Sequence, residues 1–420
     1  MFDLDRWNEI IQTLKKNKLR TFFTAFGVFW GIFMLMIMLG AGEGLRKGVS
    51  TGMGDLATNS MFMWTQQTSM PYKGFPRGRN YNFNNDDTKA LLDNVQEIEY
   101  IAPRLQGYGG DGTNNVVRGE RTGGYTIQGD YPAYNLIDPM NVLKGRFLNE
   151  NDITDYRKVA VIGTKVVNDL FKPDEEPLGQ YLRIQGVYFQ IIGVTSSKKN
   201  DRQGEQDNQT IIIPFTTLQR TYNYGDVVGW YSITAKKEHS VADMEEKIKA
   251  FMRSRHGIHP DDKRAIGSFN VQNEYTKMTR LFTGISGLIW IVGIGTLLAG
   301  VIGISNIMLV VVRERTKEIG IQRAIGASPW NIMSQIITES VFLTTFAGYF
   351  GLAAGVGVIE LVNKALASQT ESGAMFRDPS VSFNLAVMAL AILVLSGVFA
   401  GIIPARKAVK VKPIDALRFE

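Results

Sequence analysis

Three histidines and no cysteine among 420 residues leave this chain few side chains for catalysis. Without cysteine there is no disulfide framework and no thiolate nucleophile, a usage that fits a bacterial envelope protein. His256 and His259 stand three apart, and two imidazoles at that spacing could share a metal. Gly257 lies between them, however, Pro260 follows, and only Asp261 and Asp262 are near enough in sequence to add a ligand. With His239 standing apart, the chain offers a solvated helix end rather than a metal centre. No nucleophile–base set is legible. No G-x-x-x-x-G-K-[ST] phosphate loop occurs either, and the GTK of "VIGTKVV" lacks the upstream glycine spacing.

The charges that stand out are placed for contact rather than for reaction. In "VVRERTKEIGIQRAIGASPWNIMSQII", from Val311, the residues Arg313, Glu314, Arg315, Lys317, Glu318 and Arg323 fall between two long apolar runs. A loop that only fixes membrane topology needs the basic residues, whereas a docking surface also uses the carboxylates and isoleucines between them. Arg313–Arg323 reads as a short helix supported by Glu314–Lys317 and Arg315–Glu318 pairs at i,i+3. Gly326 suits the left-handed stop; Ser328 and Pro329 suit the N-cap and first position of a following helix. The segment should expose Ile319, Ile321 and Ile325. The other isolated charge is Glu339, inside the next apolar run, and a lone carboxylate in a membrane is a functional candidate by default. A contact with the basic residues of the loop and a part in gating are both open readings.

The elements that must position these residues are membrane helices. A composition that is 45% hydrophobic is ordinary for a soluble protein, but the apolar residues are unevenly spread. Thr21–Leu39, Leu281–Val312, Ile336–Ile359 and Ser382–Ala405 contain Glu339 as their one charge, and each approaches or exceeds the roughly 20 residues that cross a hydrocarbon core. The first window is longer than the roughly 7–15 apolar residues of a cleavable leader and is read as an uncleaved span. Leu281–Val312 would be about 48 Å long as a helix, so it either tilts or continues beyond the membrane, where it could act as a lever unless broken near Gly284–Gly287.

The net charge of +6 does not indicate a nucleic-acid partner, because its distribution is that of a membrane protein. Arg6, Lys15, Lys16, Lys18 and Arg20 precede the first span, and Arg406, Lys407, Lys410, Lys412 and Arg418 follow the fourth. Leu361–Val381 carries only Lys364 and Arg377 as basic residues. By the positive-inside rule both termini and the 313–335 loop are cytoplasmic. The expected fold class is a polytopic α-helical membrane protein of four transmembrane helices, with a large α+β extracytoplasmic domain between helices 1 and 2. Residues 1–20 form a cytoplasmic amphipathic lead with Leu4, Trp7, Ile11 and Leu14 on one face. Spans at 21–42, 281–312, 336–360 and 382–405 are separated by the outer domain 43–280, the loop 313–335 and a short outer loop 361–381. A tail, 406–420, closes the chain.

The outer segment alternates strand-like runs ("MFMWT", "YTIQG", "KVAVIG", "YLRI", "VYFQIIGV", "TIIIPF", "WYSITA") with the helical "DDTKALLDNV", "TKVVNDLF" and "SVADMEEKIKAFMRSRH". Ser240 and Asp243 have capping-box spacing. "PYKGFPRGRNYNFNN" and "KKNDRQGEQDNQ" read as loops, and the domain as two lobes. Each span carries small residues four apart: Gly27 and Gly31; Gly295, Ala299 and Gly303; Gly351 and Gly355; Gly397 and Gly401. This spacing lets helices approach closely within a bundle, either inside one protomer or between two.

"RERTKEIGIQRAIGAS" resembles the cytoplasmic signature of the MacB/FtsX-like permeases of ABC transporters, and "PWNIMSQIITESVF" places Glu339 at that family's usual glutamate. "GRFLNENDI", "KVAVIGTKVVNDLF" and "PLGQYLRIQGVYFQIIGV" resemble the family's periplasmic domain, and "PARKAVKVKPIDALRFE" its closing motif. The resemblance implies four spans, a homodimer and a pair of separate ABC ATP-binding subunits docked beneath the loop. Glu314, Arg315, Glu318, Ile319, Gly320, Arg323 and Gly326 become the expected ATPase-coupling residues. The chain would bind no cofactor itself, with ATP and magnesium held by the partner ATPase. A periplasmic adaptor and an outer-membrane channel are further expected partners, besides membrane lipid. The bacterial inner membrane is the implied location and export of a periplasmic substrate the implied function. A LolC/LolE-like lipoprotein-releasing permease and a non-transporting FtsX-like signalling subunit are the alternatives. The size of the outer domain argues against the latter, which usually carries a much smaller one.

Overall fold

The computed structural model describes residues 18–52, 56–107, 115–199, 202–367, 376 and 378–410. Leu4, Trp7, Ile11 and Leu14 of the amphipathic lead, and residues 411–420 of the closing motif, lie outside the described residues. In chain order the elements are α1 (Lys18–Gly52), β1 (Ser60–Thr65), β2 (Phe83–Asn84), α2 (Asn85–Asn94), β3 (Ile98–Gln106), β4 (Val116–Arg118), β5 (Arg121–Gly123), β6 (Thr126–Asp130), α3 (Tyr134–Ile137), β7 (Asn141–Gly145), α4 (Glu150–Thr154), β8 (Val159–Gly163) and α5 (Thr164–Leu170). They continue as β9 (Tyr181–Ile184), β10 (Val187–Ser196), α6 (Arg202–Asn208), β11 (Thr210–Pro214), α7 (Phe215–Thr221), β12 (Val227–Val228), β13 (Trp230–Ala235), α8 (Val241–Arg255), β14 (Ile266–Asn270), α9 (Val271–Glu314), α10 (Thr316–Ala324), α11 (Pro329–Ala367) and α12 (Phe383–Val409). They form two compact units, one of residues up to Val49 and from Leu281 onward, the other from Ser50 to Arg280.

Among the described residues four helices are long and apolar enough to cross a membrane: Ala25–Val49, Val271–Glu314, Pro329–Leu366 and Phe383–Val409. α9 runs unbroken through Gly284 and Gly287 for 44 residues, about 66 Å at 1.5 Å per residue. Glycine allows the close helix contacts. A Cβ on Gly31 would lie 3.6 Å from the Leu297 amide nitrogen, and one on Gly300 3.4 Å from Val28 Cα, so α1 meets α9. Gly351 and Gly355 seat α11 on Phe29, Phe33 and Met36 of α1. Gly397 and Gly401 seat α12 on Val341 and Ile337 of α11. The stripe Gly295, Ala299 and Gly303 takes no part in this packing. A Cβ on Gly295 or Gly303 would meet nothing within 4 Å, and Ala299 is exposed. Gly293, Leu297, Gly300 and Ile304 form the buried face, and at about 100° per residue a position two residues away points to another side.

In the second unit, β1, α2, β3, β13, α8 and β14 make a βαββαβ arrangement, an antiparallel sheet in the order β14-β1-β13-β3. Alternation along β1 sends Met61 and Met63 into the core. α8 adds Val241, Met244, Ile248 and Met252 at three-to-four spacing. β3 carries the pairing onward: Ile98–Arg104 bind β13, then Leu105 and Gln106 bind β6. A second strand group follows in the order β6-β11-β8-β10-β9-β4-β5. Pro103 is tolerated inside β3 because β6 pairs only beyond it.

Several local expectations need correction. "KKNDRQGEQDNQ" contains α6, a helix without a strongly apolar side chain, held by tertiary bonds in which Asn208 Oδ1 accepts from Ser197 N–H at 2.8 Å and Asp207 Oδ2 from the Ser197 hydroxyl at 3.0 Å. Ser240 caps α8 by accepting from the Ala242 amide, not from Asp243. Reciprocal capping boxes occur instead at Asn84/Asp87 and Asn149/Asp152.

Asp87, Asp152 and Asp262 are fully buried. Burial alone would raise their pKa values, yet hydrogen bonds from His256 and Arg255 to Asp87, from Arg146 to Asp152 and from the Ser69 loop to Asp262 hold all three below the ordinary carboxylate range. Depressed pKa values stabilise the fold above the unfolded value of about 4, and that stability is lost as pH falls through the folded values. The circular-dichroism melting temperature of the full chain in detergent should therefore fall progressively as the pH drops below about 4. Asp262→Asn should lower it at pH 6 and flatten the acid slope. An unchanged slope would remove Asp262 from this account.

Candidate functional site

The charged segment is helical almost throughout. α9 ends at Glu314; Arg315 leaves helical geometry at φ −96°, ψ 14°, and α10 starts at Thr316. Gly326 follows at φ +106°, where a side chain would be strained. The Gly326 amide donates to Arg323 O at 3.2 Å and the Ala327 amide to Gln322 O at 2.9 Å, the paired bonds of a Schellman stop. Ser328 Oγ then accepts from the Asn331 amide at 3.3 Å, with Pro329 opening α11.

Two arginines fix α10. Arg315 Nε donates to Glu318 Oε2 at 2.9 Å and Nη1 to Glu339 Oε1 at 3.1 Å. Arg323 Nη1 donates to Val409 O at 2.6 Å, binding a carbonyl at the end of α12. Ile319 and Gly320 are buried beneath α10, against the core that holds Val312, Ile332 and Ile336. Ile319 is thus not on the exposed surface expected for it, because its side chain anchors α10 to that core. Glu314 and Gly326 are exposed, as is most of Glu318. Ile321 is 41% exposed, Ile325 82% and Trp330 71%, so apolar surface gathers around the turn between α10 and α11.

His256 and His259 serve local structure. His256 Nε2 lies 2.8 Å from Asp87 Oδ2 at the end of α8, and His259 Nδ1 accepts from the Asp261 amide at 3.1 Å. Among the described residues no group of three or more His, Cys, Asp or Glu is placed to hold a metal.

Residues 21–251 match the family model of the MacB-like periplasmic core domain, and residues 290–413 that of the FtsX-like permease C-terminal domain. This chain is a MacB/FtsX-like ABC permease. It is 28% identical over 420 residues to the macrolide export ATP-binding/permease protein MacB of Bdellovibrio bacteriovorus, covering 99% of the chain. It is 31% identical over 407 residues, 96% of the chain, to the pyoverdine export ATP-binding/permease protein PvdT of Pseudomonas putida. The chain spans 62% and 58% of the lengths of these relatives. The crystal structure of the periplasmic region of MacB from Actinobacillus actinomycetemcomitans aligns with 53% of the chain and 94% of that structure, at a TM-score of 0.42 and 17% identity.

The FtsX-like match contains the whole α10–α11 turn of the permease. Sequence reasoning passed over Trp330. Its signal was an aromatic residue directly after the first-turn proline, a position facing away from the helix it opens.

Proposed function

We propose that this permease couples ATP hydrolysis by a separate cytoplasmic ATP-binding subunit to movement of its outer domain, driving export of a substrate from the periplasm. The observation that carries the reading is the α10–α11 turn, where Ile325 and Trp330 stand exposed while Arg315 ties the helix beneath them to Glu339 inside α11 and Arg323 ties it to the end of α12. A surface held from behind and apolar in front can receive a partner and pass on its displacement. The unbroken α9 connects this turn in sequence with β14 of the outer domain, which suits mechanical transmission. The basic flanks support a reading in which both termini and the turn face the cytoplasm at a bacterial inner membrane. The names of the MacB and PvdT relatives favour export over lipoprotein release. A second copy would pack on the Gly295, Ala299 and Gly303 stripe.

Co-expression with its ATP-binding subunit in lipid nanodiscs tests this. Trp330→Ala should weaken subunit capture about 30-fold, the loss of roughly 2 kcal/mol typical of an aromatic anchor, and Ile325→Asp should abolish stimulated ATPase activity. Capture and ATPase activity equal to wild type in both variants would refute docking at this turn.

A further inference from the structure

A second built feature lies in the outer unit, where β1 ends and β14 begins. Here the segments 65–70, 78–82 and 262–265 are bonded to one another. The Gln66 amide donates to Ala265 O at 2.9 Å, the Thr68 amide to Arg79 O at 3.2 Å and the Gly78 amide to Thr68 O at 2.6 Å. The buried Asp262 carboxylate accepts from the amides of Ser69 at 2.6 Å, Met70 at 3.1 Å, Arg264 at 3.1 Å and Ala265 at 3.2 Å, and from the Ser69 hydroxyl at 2.7 Å. The Tyr81 hydroxyl donates to Ala265 O at 2.6 Å. One carboxylate therefore clamps two of the three segments, and the surface between them is preformed.

That surface is an open concavity of about 530 Å³, a volume within the range of small-molecule sites. Beside Tyr81 it is lined by Thr65, Gln66, Gln67, Asn80, Asn82 and Arg264. Four primary amides can each donate and accept, and no carboxylate lines the wall. Arg264 makes no ion pair with the described residues, and its guanidinium can grip a carboxylate through two hydrogen bonds. The neighbouring residues 71–85 add Lys73, Arg77 and Arg79 and no acid. An apolar ligand would find little beyond the Tyr81 ring.

We propose that this concavity binds a small hydrophilic ligand bearing a carboxylate and several hydroxyl or amide groups, the chemistry shared by an acidic sugar and a short acidic peptide. The site lies wholly in the outer unit and is independent of the coupling reading, so binding is measured without ATP or an ATP-binding subunit. Calorimetric titration of the full chain in nanodiscs with trigalacturonic acid, triglutamic acid and maltotriose separates the cases. One acidic probe should bind at least tenfold more tightly than neutral maltotriose, and which one binds identifies the source. Arg264→Ala should weaken it at least tenfold and Arg264→Lys less, while Asn80→Ala should cost several-fold. These residues are exposed, so an unchanged melting temperature should accompany each loss. No binding of either acidic probe at millimolar concentration, or undiminished binding by Arg264→Ala, would overturn the proposal.

Discussion

Gly351→Leu should abolish the folded membrane unit rather than weaken it. A Cβ at this position would stand 2.5 Å from the Phe29 carbonyl oxygen and 3.2 Å from its carbonyl carbon. Both atoms belong to the α1 backbone, so no side-chain rotation relieves the clash, and the helices must separate. One turn on, a Cβ at Gly355 would stand 2.8 Å from Met36 Cβ, and the separation would open that contact too. Overpacking commonly costs about 1–3 kcal/mol where side chains yield; here it removes the close approach through which apolar helices associate in lipid. Gly357→Leu is the internal control, since a Cβ at Gly357 meets nothing within 4 Å on the same helix. Expression in mild detergent followed by size-exclusion chromatography should give a monodisperse peak for Gly357→Leu and aggregate for Gly351→Leu. Equal yields would show that α1 and α11 do not depend on this contact.

The glycine pattern also shows how far the sequence could be read. Small residues four apart were visible in all four spans, and at Gly351, Gly355, Gly397 and Gly401 they lie against neighbouring helices. The phase of α9 was not visible. A soluble helix marks its buried face by contrast with a polar one, whereas a helix in hydrocarbon is apolar all round, so Gly293 and Gly300 could not be told from Gly295 and Gly303. The charged turn was legible in its punctuation, because Gly326, Ser328 and Pro329 act through local backbone chemistry. Burial of Ile319 was not, since it depends on where α11 returns. In the outer domain the quoted apolar runs marked β1, β6, β8, β9, β10, β11 and β13, but β3 and β14 were not singled out, and α6 escaped because nothing in its composition marks a helix. The Arg315–Glu339 contact spans 24 positions. Either residue could be noticed alone, but only the return of the chain pairs them.

That pair should behave as one unit. Its side chains are only 17% and 8% exposed, and removing one partner of a buried pair typically costs about 3–5 kcal/mol because the other charge stays behind. Glu339→Ala and Arg315→Ala should each lower the melting temperature of the purified permease, and the double variant should lose clearly less than their sum, by about 1 kcal/mol or more. Additive losses would mean that the two residues act separately. The coupling has a consequence for transmission. Arg315 sits at the break between α9 and α10, grips Glu318 within α10 and reaches Glu339 one helix away. Under the proposed coupling, a push received at Ile325 and Trp330 would reach α11 together with α10 while the contact holds. With it cut, α10 would be held through Arg323 and Ile319 and would pass on less of the displacement. Glu339→Gln keeps an acceptor for Arg315 and removes the charge, so it should cost less stability than Glu339→Ala. At temperatures where both are folded, ATPase activity should persist in each variant, and the outer-domain response to ATP should fall further in Glu339→Ala. Fluorescent labels on the outer domain would read that response directly, and an undiminished response in Glu339→Ala would reduce the pair to a structural anchor.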